Sequence, residues 1–182
     1  MSNIAMQGGA TGTGTVTLLA PSTSTNRTLT LPDATGTVAL QGGTGVGKVL
    51  QVVQGTYSTE TETSSSTYAD TGLTASITPS SATSKILVLV TMGGVGKATN
   101  DTSVRIRTVR GATVIDNGND IAYTASSATN FVGSFSVNIL DSPATTSATT
   151  YKTQFNSQSN VAKTRICSSG STSYITLMEI AA

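Results

Sequence analysis

The sequence contains no histidine and no tryptophan, and it has a single cysteine among 182 residues. Without histidine, the usual neutral-pH proton shuttle and the commonest transition-metal ligand are both missing. Neither a Ser-His-Asp nor a Cys-His catalytic centre can be assembled within this chain. One cysteine closes no intrachain disulfide and offers no zinc-ligand spacing, so no metal and no cofactor is expected. Cys167, in Thr164-Arg165-Ile166-Cys167, reads as a small buried strand residue. Charge is scarce as well: 10% of residues are charged and the net charge is +1, which excludes the basic footprint of a nucleic-acid binder. The longest apolar run, Ile86 to Val90, is far too short to span a bilayer, so no membrane insertion is expected. The start, Met1-Ser2-Asn3-Ile4-Ala5-Met6-Gln7, has neither the charged opening nor the apolar block of a secretory signal.

Hydroxyl groups fill the space left by these absences. There are 35 Thr and 24 Ser, about a third of the chain. Leu, Ile, Val and Phe together number 39, just above the ~20% mark below which highly charged chains tend to be disordered. With so few charges, the balance points to a Thr-rich β protein with a thin core, one that neighbouring copies complete.

Two regions are expected. Within residues 1–47, Thr13-Gly14-Thr15-Val16-Thr17-Leu18 recurs 22 residues later as Thr35-Gly36-Thr37-Val38-Ala39-Leu40. Between the copies, Arg27-Thr28-Leu29-Thr30-Leu31 alternates and stops at the Pro32-Asp33 turn. Each piece is a short strand with one apolar face, and such repeats need neighbours to cover them. Gly42 to Gly47 reads as a linker.

From 48 to 182, strands follow one another at hairpin spacing: Val49 to Gln54, Thr56 to Thr63, and Leu73 to Thr78 with Leu73, Ala75 and Ile77 on one face. Lys85 to Met92, apolar without a break from Ile86 to Val90, reads as the central buried strand. Val104 to Thr108 alternates, and Asn117-Gly118 predicts a hairpin between Thr113–Ile115 and Ile121–Tyr123. Phe131, Phe135, Val137 and Ile139 share a face, and Tyr151–Asn156, Val161–Cys167 and Tyr174–Ile180 complete the set. About ten short strands without a helical pattern predict an all-β fold, an antiparallel β-sandwich or barrel of jelly-roll type.

The candidate chemistry is sparse. Gly42-Gly43-Thr44-Gly45-Val46-Gly47-Lys48 matches a phosphate-binding loop in outline. Val49 stands where Ser or Thr is needed, and a strand pattern follows where a helix is needed. Gly93-Gly94-Val95-Gly96-Lys97 echoes it and reads as a loop. Glu60 with Glu62, and Asp116 with Asp120, have the spacing of carboxylate pairs but read as a solvated strand and turn capping. Asp116 to Asp120 lacks the glycine and closing glutamate of a calcium loop. Arg105 and Arg107, with Arg110 beyond, offer a face for an anion or read as the solvent side of a strand. The five tyrosines read mainly as core or strand-edge residues.

Thr15-Val16-Thr17-Leu18-Leu19-Ala20-Pro21 and Leu29-Thr30-Leu31-Pro32-Asp33-Ala34-Thr35-Gly36-Thr37 resemble repeats near the start of tail-fibre proteins of marine and freshwater bacteriophages. Gly47 to Gln51, Leu73 to Val88, Val109 to Thr113, Asp141 to Thr146 through Lys152, and Ile175 to Ile180 resemble a C-terminal domain common in the same group. These stretches cover most of the chain in the right order. The resemblance implies a non-enzymatic virion structural protein, a homotrimer whose β-sandwich head contacts host surface glycan or protein. No motif of receptor-contact residues carries over. The chain departs from a long fibre in having no coiled-coil shaft, so residues 1–47 have to intertwine and attach to other virion proteins, with 48–182 as the head. Loops at the free end of the sandwich are the expected contacts, with Asn117, Asn119, Asn156 and Asn160 as the candidates. A capsid decoration or neck-collar component is the alternative, and a glycan depolymerase a third reading.

Overall fold

A computed structural model describes residues 24, 48–98, 102–118, 120–124, 131–159 and 162–182. The N-terminal repeat, the glycine linker, Asn119 and Asn160 therefore lie outside the described residues. The chain divides into two units, Met1–Gly42 and Gly43–Ala182. The second is an all-β sandwich.

Eleven strands are described in it: β1 (Val49–Tyr57), β2 (Thr61–Thr63), β3 (Ala69–Ile77), β4 (Lys85–Lys97), β5 (Thr102–Arg110), β6 (Thr113–Asp116), β7 (Asp120–Thr124), β8 (Phe131–Asp141), β9 (Thr149–Ser157), β10 (Thr164–Ile166) and β11 (Ser173–Ile180). One 3-10 turn at Ser168–Gly170 interrupts them. The first sheet contains β1, β11, β4, β8, β10 and β2, and the second β3, β9, β5, β6 and β7. Every described pairing is antiparallel.

Several of these strands are halves of longer ones. β11 and then β10 occupy the same edge of β4, with Tyr174 opposite Thr91 and Thr164 opposite Lys97. β1 and β2 run beside them in the same manner, and β6 and β7 share one edge of β5. Merging each of these pairs leaves eight strands along the chain. They stand in the order one, eight, three, six in the first sheet and two, seven, four, five in the second. That is a jelly roll, the double-sheet arrangement of two Greek keys.

Alternation builds the core. Leu73, Ala75 and Ile77 of β3 face inward as their spacing requires, against Ile86, Val88, Val90 and Met92 of β4 and Ile175 and Leu177 of β11. Val104 and Ile106 of β5 and Tyr151 and Phe155 of β9 close it from the second sheet. Phe135, Val137 and Ile139 pack on its margin, and Cys167 is buried.

Four sequence expectations change. First, β1 runs unbroken to Tyr57, so Thr56 continues it and does not begin a second strand. Second, β4 is not buried on both sides: Ile86, Val88 and Val90 are sealed inside, while Leu87 and Leu89 lie half-buried on the outer face. Third, Gly93 to Lys97 is not a loop but the second half of β4, where a bulge between Met92 and Val95 is accommodated by Gly94 in the left-handed region (φ 62°). Fourth, Asn117-Gly118 does not close a hairpin, because β6 and β7 each pair with β5. The hairpin is β5–β6, turned by Gly111-Ala112 between the paired Arg110 and Thr113. Gly118 is needed for close approach, since a Cβ there would lie 1.3 Å from the Ile106 carbonyl oxygen. Gly118→Ala is therefore expected to cost about 3 kcal/mol through overpacking, measured by urea unfolding of the full chain.

Candidate functional site at the far end of the sandwich

Both chain ends of the sandwich meet at one place. The Ala181 N–H donates to the Lys48 carbonyl at 2.9 Å, beside the start of β4. The opposite end is formed by β2, the end of β4, the starts of β5 and β8, the end of β9 and β10, and its described residues combine hydroxyl side chains with Val132, 42% exposed at the start of β8.

The near end is closed by two inward carboxylates in one row, Glu179 and Asp141, which flank Ile86 across the sheet. Glu179 is fully buried and accepts hydrogen bonds from Gln51 (2.6 Å), the Ser80 N–H (2.8 Å) and the Ser80 hydroxyl (2.7 Å). Burial opposes its ionisation, but these donors outweigh burial and hold its pKa down to about 2. Asp141 accepts two bonds from Arg110 Nη1, at 2.7 and 2.6 Å, and one from the Tyr151 hydroxyl at 2.7 Å. Burial, and then this bond to a carboxylate, push the Tyr151 phenol upward. Because Asp141 sits in β8 and its donors in β5 and β9, the cluster ties one sheet to the other.

The outer face of the second sheet carries a charged lattice. Arg105 pairs with Asp120 at 2.5 Å, Arg107 bonds Gln154 at 2.8 Å, and Gln154 and Lys152 both donate to Asp70 at 2.7 Å. Tyr68 lies under the Arg107 guanidinium, 4.0 Å from ring centroid to carbon. Lys152, with Gln154, holds Asp70 below its usual range, and Arg105 does the same for Asp120. Asp116 is pushed upward by burial. The Asp116–Asp120 pair thus diverges as an acid and base would, but Asp120 is committed to Arg105. Arg105 and Arg107 do share a face, as their spacing predicts, and each is bonded there.

At the far end, Thr102 and Ser157 share a hydroxyl bond of 2.9 Å, and Ser157 donates to the Ala162 carbonyl at 2.7 Å. The Ser157 N–H reaches the Ser65 carbonyl at 2.9 Å, and Thr164 donates to Thr63 at 3.2 Å. Lys97 is fully buried at the tip of β4. A shallow hollow lined by Glu62, Thr63, Ser64, Ser65 and Lys163 opens outward, with Lys163 and Glu62 paired at 3.0 Å across it. The bonds of Thr102, Ser157 and Thr164 are buried and hold this end together, while the hollow presents Glu62, Ser64, Ser65 and Lys163 at the surface.

Of the asparagine candidates, Asn117 and Asn156 lie among the described residues, and these two do not share a surface. Asn117 is exposed but sits along the edge of the second sheet, in the break between β6 and β7. Asn156 is a correction: it lies within β9, is 3% exposed, and gives its amide to the Ser66 carbonyl at 2.7 Å. Alternation of β9 relaxes at its end, where Phe155, Asn156 and Ser157 are all buried, so period-two spacing misplaces it. The hollow was missed from sequence because Glu62 and Lys163 are joined only by the pairing of β2 with β10. Lys48 leads directly into β1, so the phosphate-loop outline has no helix behind it. Among the described residues, no three His, Cys, Asp or Glu side chains stand close enough to hold a metal ion. No family model matches this chain, and no curated protein matches it.

Two outcomes follow. Removing the half-buried Arg110–Asp141 pair by Asp141→Asn should cost about 2 kcal/mol, whereas breaking the exposed Arg105–Asp120 pair should cost under about 1 kcal/mol, both read by urea unfolding. For Glu179, a pKa lowered from 4.5 to about 2 means that its stabilisation is present above pH 4.5 and is lost as the pH falls toward 2. Glu179→Gln should flatten that acid limb, as measured by unfolding free energy against pH.

Proposed function

We propose that this chain is a non-enzymatic bacteriophage virion protein, a homotrimeric short tail fibre or spike. Its N-terminal region attaches to other virion proteins, and its jelly-roll head contacts host surface glycan or protein. The observation that carries the reading is the placement of both chain ends of the sandwich at one end, joined through Ala181 and Lys48. A head tethered at one end presents the other, and here that other end carries the Glu62–Lys163 hollow. The order of the repeat and head stretches along the chain, which resembles phage tail fibres, supports the same assignment. Weak contacts repeated on three copies would sum to useful adhesion, since linked binding gains ~100-fold or more.

The test is immuno-electron microscopy of intact phage particles with antibody against the chain, together with competition for adsorption by the purified protein. Label on the tail tip and blocked adsorption are expected. Label on the capsid or neck with adsorption unchanged would establish the decoration reading instead, and unlabelled particles would overturn both. A light-scattering mass near three chains is expected for the purified protein.

A further inference from the structure

We infer that copies of this chain pack against one another through the outer face of the first sheet, along an apolar stripe that crosses all four of its long strands. The register places Val52 opposite Met178, Met178 opposite Leu87, and Leu87 opposite Leu140. Partners in an antiparallel ladder share a face, so these four side chains form one continuous row from β1 through β11 and β4 to β8. The row points away from the core, because Ile86 and Val88 on either side of Leu87 are fully buried. Its two ends are open: Val52 is 55% and Leu140 56% exposed. Leu89 and Ile180, both half-buried, widen the stripe on either side.

An apolar stripe of this continuity marks a protein contact, and two features assign it to a second copy. First, the stripe is nearly free of charge. Over β1, β11, β4 and β8, Lys85 at the margin is the one charged side chain on the outer face among the described residues, since Glu179 and Asp141 point inward and Lys97 is buried; Glu62 and Arg165, opposite each other on β2 and β10, lie beyond the far end of the stripe. Copies arranged about a threefold axis bring the same face of each toward that axis, which needs a surface that does not repel itself. The opposite face of the sandwich, with Arg105, Arg107, Lys152, Asp70 and Asp120, is built as a solvent face by contrast. Second, the run from Ile86 to Val90 has the composition of a strand covered on both sides, yet among the described residues only its inner side is covered. A sheet packed about 10 Å from its neighbour supplies the missing cover. The inference rests on the homo-oligomer in the proposed function but not on any role in a virion.

The experiment uses the full chain, 1–182, with sedimentation equilibrium as the readout. Val52→Asp and Leu140→Asp each place a charge in the row at an exposed position, and Ser76→Asp places one on the outer face of the second sheet as the control. Association of the unmodified chain is expected to weaken roughly 100-fold or more in either row variant, while Ser76→Asp stays within about twofold. Circular dichroism melting verifies that the variants are folded. As an independent reading, Leu140→Cys should crosslink between copies through a short bismaleimide and Ser76→Cys should not, the native Cys167 being buried. Association that is unchanged in both row variants, with no crosslink at position 140, would overturn the assignment of the face and leave the oligomer standing. A wild-type chain that is monomeric at every concentration would overturn the inference and the homotrimer together.

Discussion

The domain is organised by the double-sided strand β4. Its inward residues are the centre of the core, and its length decides how far every other strand of the first sheet can extend. β8 follows one of its edges from Ile86 to Lys97, while β11 and β10 divide the other. The 3-10 turn at Ser168–Gly170 falls opposite the bulge in β4, and the Cys167 N–H donates to the Gly93 carbonyl at 3.1 Å, so both strands break at the same level. With so little apolar material in the chain, β4 carries apolar residues on both faces, and the second sheet covers the inner one.

The ends of the sandwich are closed by polar groups. At the near end, the carboxylates of Glu179 and Asp141 take the places where a thicker core would have Leu or Phe. They are tolerable there because each is fully engaged: Glu179 by Gln51 and Ser80, Asp141 by Arg110 and Tyr151. Buried polar networks of this kind are worth having only when every member is satisfied. At the far end, Thr and Ser hydroxyls take over, bonding to carbonyls of neighbouring segments. A Thr-rich composition thus becomes structural material, filling the sandwich ends with short side chains that bond to neighbouring segments.

The strands with strict alternation were the ones most readily read. Leu73, Ala75 and Ile77 face inward as spaced, as do Phe135, Val137 and Ile139, because period two projects directly onto a sheet with one wet face. Local signals were less dependable where tertiary pairing outweighed them. Asn117-Gly118 has hairpin chemistry, but β5 offers an edge long enough for β6 and β7 in succession, and pairing with that edge won. Gly93 to Lys97 has loop composition, yet β8 and β10 on either side hold it as strand. Asn156 falls at the end of its strand as the pattern predicts, but there all three closing residues of β9 are enclosed, so its side chain is turned inward.

Composition and periodicity are properties of neighbours in the chain, and they sufficed for an all-β sandwich of short strands and for setting aside histidine- and disulfide-based chemistry. Contacts between residues a hundred positions apart are not written in any local pattern. Lys163 meets Glu62 across 101 residues, Glu179 meets Ser80 across 99, and Leu140 joins a row with Val52 only because β4 and β11 lie between them. Which face is dry, which is charged, and which end is free are therefore decided by the order of strands in the sheets. A side chain's alternation places it on one side or the other of its strand, but only the packing of the second sheet makes one of those sides the interior.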